Sequence, residues 1–192
     1  MLNFVAAGAA ALAMAAPSSI IIQTPLEAPP TDKMVIEVVT VNGTGCPIGT
    51  AAVAVSPDNT AFTVTYSEYV AEVAPGLPAS ASRKNCQLNL NVHVPSGFTF
   101  AVSQTDYRGY ASIARGATAT ERASYYFQGS TATGAITNTI AGPYEDYWQY
   151  TDYVAVASMV WRPCGGDQRN LNINTSLVVS KGSSGNANSY MV

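Results

Sequence analysis

The chain has 192 residues, 47% of them hydrophobic and 11% charged, with a formal net charge of −3. Once the terminal segments are set aside, about 150 residues remain, the usual size of one compact domain with a single core. So low a charge content leaves no basic surface to neutralise a run of phosphates, and nucleic acid is not an expected partner. Abundant Ala, Val, Thr, Ser, Asn, Gly and Tyr, set against little Lys, Glu and Leu, favour strands over exposed helix faces.

In chain order, residues 1–16 read as a signal peptide. Met1-Leu2-Asn3-Phe4-Val5 leads into an Ala-rich run, and the first charged residue is Glu27. Ala13 and Ala15 occupy small-residue cleavage positions, and Pro17 with Ser18 and Ser19 follows at once. No Lys or Arg precedes the apolar run, so only the α-amino group supplies a positive n-region. The run is short for a membrane span and no second one follows, so the expectation is secretion without a stable membrane anchor. Residues 17–32, with Pro17, Pro25, Pro29 and Pro30, read as a flexible leader. Residues 33–181 are the expected domain, and 182–192 an expected polar, poorly ordered tail.

Within the domain the apolar pattern alternates with period two, as in strands with one buried face. In 86–94, Cys86, Leu88, Leu90, Val92 and Val94 share one face, and Gln87, Asn89, Asn91 and His93 the other. Residues 170–179 repeat this, with Leu171, Ile173, Leu177 and Val179 opposite Asn170, Asn172, Asn174 and Ser176. Further strands are expected at 34–41, 61–66, 97–103, 107–114, 120–127 and 153–161, separated by turn residues such as Asn42-Gly43 and Ser56-Pro57-Asp58-Asn59. The fold class that follows is all-β: one domain, an antiparallel β-sandwich or jelly-roll-like barrel, with helix nearly absent. Its expected core holds Phe98, Phe100, Val102, Leu88, Leu90, Val92, Ile173, Leu177 and Trp161, with Cys164 beside Trp161.

Export implies an oxidising compartment, so Cys46, Cys86 and Cys164 are disulfide candidates before metal ligands. Three cysteines allow one pair and one leftover thiol, and any of the three pairings is open. Structural zinc lacks both C-x-x-C spacing and histidines, since His93 stands alone. Asn42-Gly43-Thr44 and Asn174-Thr175-Ser176 are glycosylation sequons; Asn42, before a turn, is the better acceptor, whereas Asn174 sits inside an expected strand.

Gly45-Cys46-Pro47, Ser56-Pro57-Asp58-Asn59-Thr60, Arg83-Lys84-Asn85-Cys86-Gln87-Leu88, Asp106-Tyr107-Arg108-Gly109-Tyr110, Trp161-x-Pro163-Cys164-Gly165 and Leu171-Asn172-Ile173-Asn174 occur in that order. Together they resemble a secreted family known as domain of unknown function 4360, found in fungi and some bacteria, across roughly residues 36–180. The resemblance implies secretion and a single domain, and it brings no catalytic residues to carry over.

For chemistry, His93 beside Asn91 and Asn89 could serve as a base only with a nucleophile and an orienting acid, and no G-x-S-x-G elbow accompanies it. It is more simply a solvated strand residue. The segment 144–153 is the most unusual stretch. If extended, it places Tyr144, Asp146, Trp148, Tyr150 and Asp152 on one face and Glu145, Tyr147, Gln149, Thr151 and Tyr153 on the other. Flat rings among carboxylates and amides suit sugar rings and hydroxyls, so Tyr144, Asp146, Tyr147, Trp148, Tyr150 and Asp152 are the candidate ligand-binding residues. The plainer alternative is a rim of half-buried tyrosines closing one end of a sandwich. Glycoside hydrolysis would need two of Asp106, Glu121, Glu145, Asp146 and Asp152 at a defined separation across a cleft. A calcium ion near Asp146 and Asp152 lacks the usual loop signature, and no cofactor or metal is expected. The Asn rows of the two alternating strands either line a polar groove or cross-bond to each other in water. Three functions compete: a non-catalytic extracellular binding module contacting cell-wall polysaccharide, a glycan-directed hydrolase, and a structural protein with an extracellular protein partner. The oligomeric state stays open.

Overall fold

The computed structural model describes residues 35–57, 61–93, 99–131, 133–153 and 169–192. Its strands are β1 (Val35–Asn42), β2 (Ala51–Val55), β3 (Phe62–Tyr66), β4 (Ala71–Val73), β5 (Arg83–His93), β6 (Gln104–Ile113), β7 (Thr118–Phe127), β8 (Gly134–Ala141), β9 (Tyr144–Tyr153), β10 (Leu171–Ser180) and β11 (Ser189–Met191). A short 3-10 turn at Ala79–Ser82 is the one helical element among the described residues. Every pairing is antiparallel. A five-stranded sheet runs β1-β5-β10-β7-β8, a four-stranded sheet β4-β11-β6-β9, and β2 with β3 makes a separate hairpin.

The chain is an all-β, sandwich-like domain, and the strongest alternation marks two central strands of its larger sheet, β5 and β10. Leu88, Leu90 and Val92 of β5, and Leu171, Ile173, Leu177 and Val179 of β10, are buried. They meet Ala111, Ile113, Trp148 and Met191 of the four-stranded sheet in one continuous core. Stripping water from these apolar side chains holds the two sheets face to face. Of the other expected core residues, Phe100 and Val102 are partly buried against this core, and Phe100 meets Phe127 edge to face at 5.2 Å. Phe98, Trp161 and Cys164 lie outside the described residues.

Cys46 and Cys86 form the disulfide, tying the β1–β2 loop to β5, the second strand of the five-stranded sheet. Beside it Tyr69 lies on the backbone of Gly45, where a Cβ would come within 2.2 Å of the ring. The Tyr69 hydroxyl shares a 3.0 Å hydrogen bond with Thr175 of β10.

Several expectations shift. The supposed tail at 182–192 ends in β11, which inserts between β4 and β6 and buries Ser189 and Met191. Ladders on both sides outweigh the polar Gly-Ser-Asn run before it: β11 pairs with β4 and β6, Ser189 accepts the Ala114 N–H at 2.9 Å and Met191 enters the core. The strand expected at 97–103 reduces, over 99–103, to an isolated bridge at Ala101. Its apolar residues pack on the core without laddering, and the neighbouring strand starts at Gln104 instead of Tyr107. The extended run 144–153 is β9, while 154–161 of the strand expected at 153–161 lies outside the described residues. β2, β4 and β8 carry short or weak alternation that the apolar pattern alone does not single out.

Candidate functional site

β9 forms an edge of the four-stranded sheet, and its alternation divides the candidate segment between two environments. Trp148 is only 7% exposed, and Tyr144 and Tyr150 pack against the core beside it. Gly109, the Cα partner of Trp148 on β6, makes room for the indole: a Cβ there would stand 3.0 Å from the ring and 1.9 Å from the Val192 carbonyl oxygen. Asp152 also turns inward. Asp146, of the same parity, stays exposed at the sheet edge and accepts the Tyr147 N–H at 2.7 Å.

The opposite parity faces outward. Tyr147 is 80% exposed and Tyr153 76%. Tyr147 pairs in register with Tyr110 of β6, their rings edge to face at 5.3 Å, and Tyr110 stacks with Tyr190 of β11 at 6.2 Å. Three tyrosines thus form a row across three adjacent strands. Burial against its neighbours, then the Glu145 carboxylate, Tyr190, Asp146 and Tyr147, hold the Tyr110 phenol above its ordinary pKa. Beside this row, along the strand direction, lies a shallow groove of about 370 Å³, lined by Ser112, Ile113, Ala114, Pro143, Tyr144, Glu145 and Asn188. Ser112 and Glu145 are Cα partners, and Tyr190 pairs with Ser112 from the other side. The groove therefore borders the tyrosine row, one register step along the strands. In the other direction along the strands, Asp106 accepts from Thr151 and from Gln104, and these bonds keep its carboxyl below the usual range.

Of the five carboxylates considered for hydrolysis, Glu121 and Asp152 are brought together, inside the sandwich and not on this face. Asn138 Nδ2 donates to Glu121 Oε2 at 3.2 Å and to Asp152 Oδ2 at 3.1 Å. Glu121 occupies a core-facing position of β7 and is 2% exposed; its Oε1 has no partner among the described residues. Burial, opposed by the Asn138 bond and aided by Asp152, pushes the Glu121 carboxyl up to about 7.

His93 is exposed at the end of β5. The Asn rows cross-bond: Asn89 donates to Asn172 at 2.8 Å, and Asn170 donates to Asn89 at 2.6 Å. Asn42 is exposed at the end of β1, whereas Asn174 is half-buried on a central strand with its Oδ1 enclosed. Among the described residues no group of three or more His, Cys, Asp or Glu side chains could hold a metal ion. Tyr110, Tyr190 and Asn188 were not singled out by sequence reasoning. Tyr110 shares a face with Asp106 and Arg108 by simple alternation, a legible signal, but Tyr190 and Asn188 sit in a segment whose polar composition reads as a tail.

Antiparallel sheets around one core, a disulfide and a tyrosine-bearing outer face define a small extracellular β-sandwich domain. The model of a family described as Domain of unknown function (DUF4360) matches residues 32–192, and the chain belongs to that family. It is 41% identical over 150 residues to an uncharacterized secreted protein of Arthroderma benhamiae (strain ATCC MYA-4681 / CBS 112371), a match covering 78% of this chain and 61% of that relative. The chain thus spans less than two thirds of the relative's length. No solved structure matches. The protein is secreted, and among the described residues no helix is long and apolar enough to cross a membrane.

Proposed function

We propose that the chain is a non-catalytic extracellular binding module that holds cell-wall polysaccharide on the outer face of its four-stranded sheet. The observation that carries this reading is the row Tyr147, Tyr110 and Tyr190, with Tyr110 in ring contact with both others, next to the groove at Glu145 and Asn188. Flat rings suit the C–H faces of pyranoses, while the Ser112 hydroxyl, the Glu145 carboxylate and the Asn188 amide suit sugar hydroxyls. The platform stands on paired strands, so little ordering cost accompanies binding. Trp148 has no part in it, because its ring is in the core.

The test is retention of the mature protein on insoluble chitin, cellulose and β-glucan, with reducing sugar assayed in the supernatant. Retention without release, lost in Tyr147→Ala and Tyr190→Ala, supports the module; no retention on any of them overturns it. A hydrolase reading has one observation in its favour, the shared amide between Glu121 and Asp152. Glu121 is too enclosed to meet a polymer, and release of sugar that survives in Glu121→Gln would remove that pair from consideration.

A further inference from the structure

The described charges nearest the tyrosine row are mostly acidic, Arg108 being the exception two positions from Tyr110 on the same face. Glu72 of β4 is the Cα partner of Tyr190, Glu145 stands two positions before Tyr147 on the same face, and Asp146 is exposed at the adjoining edge. Glu145 and Asp146 both act on the Tyr110 phenol, so their field reaches the centre of the row. The basic residue on this face, Arg108, lies beyond Tyr110 toward Asp106, whose carboxylate it stabilises; Arg115 sits in the turn after β6. Electron-rich ring faces bordered by carboxylates attract cations twice over, through the ring quadrupole and through direct charge.

We infer that the tyrosine row and its groove take an amine-bearing sugar polymer, a deacetylated amino-sugar chain carrying protonated amines, in preference to a neutral glucan. This rests on the carbohydrate reading above and narrows its ligand class. Sugar rings would lie on Tyr147, Tyr110 and Tyr190, with amines directed to Glu145, Asp146 and Glu72. Asn188 and Ser112 remain for ring hydroxyls. A basic peptide would satisfy the same charges, but it makes less use of a row of aromatic rings flanked by hydroxyl and amide groups.

The experiment is titration of the intact protein with three soluble oligomers of equal length: a fully deacetylated glucosamine oligomer, its N-acetylated counterpart and a cello-oligosaccharide, with poly-lysine as a fourth probe. The expected result is tightest binding of the deacetylated oligomer, weakening as salt rises. Glu145→Gln and Glu72→Gln should each weaken it by roughly two- to fivefold, as expected for exposed charge contacts, and Glu72→Gln, outside the groove, should leave N-acetylated binding unchanged. Equal or tighter binding of a neutral oligomer overturns this inference while leaving the carbohydrate module intact. Binding of none of the sugars overturns both. Tighter binding of poly-lysine than of the deacetylated oligomer also overturns it, in favour of a protein partner. Both glutamates are exposed, and an unchanged melting temperature in each variant confirms that binding, not folding, is being read.

Discussion

Replacing Glu121 by glutamine keeps the size and shape of a side chain enclosed between two sheets but removes its ability to ionise. In the folded protein the carboxyl is displaced from 4.5 to about 7, chiefly by burial. Fold and unfolded chain therefore bind different numbers of protons between those values, the fold binding more. Stability from this group is fully present below pH 4.5, falls as the pH rises through the window, and is lost above about 7. The displacement corresponds to about 3 kcal/mol. For a domain of this size that is a fall in melting temperature of roughly 5–10 °C between pH 4.5 and 8. Melting of wild type and Glu121→Gln, followed by circular dichroism at half-unit pH steps, isolates the effect, because every other titrating group is common to both. The variant should match wild type near pH 4 and exceed it above pH 7, with the difference opening through the window. Parallel curves for the two proteins would refute the reasoning.

Other consequences are equally direct. Trp148→Ala should cost about 3–5 kcal/mol and lower the melting temperature sharply, because it empties a core position and is not a surface change; urea unfolding measures it. The Cys46–Cys86 bridge, spanning 40 residues, constrains the unfolded chain by about 4 kcal/mol, so Cys46→Ser with Cys86→Ser should unfold at lower urea even though the strands are unchanged. Expressed through a eukaryotic secretory pathway, the protein should gain one glycan at Asn42 and none at Asn174, whose amide is part of a central strand; the mass shift on enzymatic deglycosylation of Asn42→Gln against wild type tests this.

Much of the architecture was written in local alternation. β5 and β10 announce their buried and polar faces residue by residue, because a strand with one dry side admits apolar groups only at every second position. The same rule sorts Tyr144, Trp148 and Tyr150 from Glu145, Tyr147 and Gln149. Alternation is silent, however, on which set turns inward when both contain rings, and Trp148 went to the core because Gly109 across the ladder leaves room for it. It is also silent on long-range partners. That Cys46 pairs with Cys86, that Glu121 shares an amide with Asp152, and that Tyr110 and Tyr190 complete a row with Tyr147 depends on which strands become neighbours. A polar stretch likewise hides a short strand such as β11, whose order comes from the ladders on either side and not from its own sequence. Strand content and the two faces of the strongest strands are therefore legible along the chain, since these rest on interactions between near neighbours. The tertiary structure alone decided the disulfide pair, the buried acid and the tyrosine platform, because each joins groups far apart in the chain whose meeting depends on the packing of whole sheets.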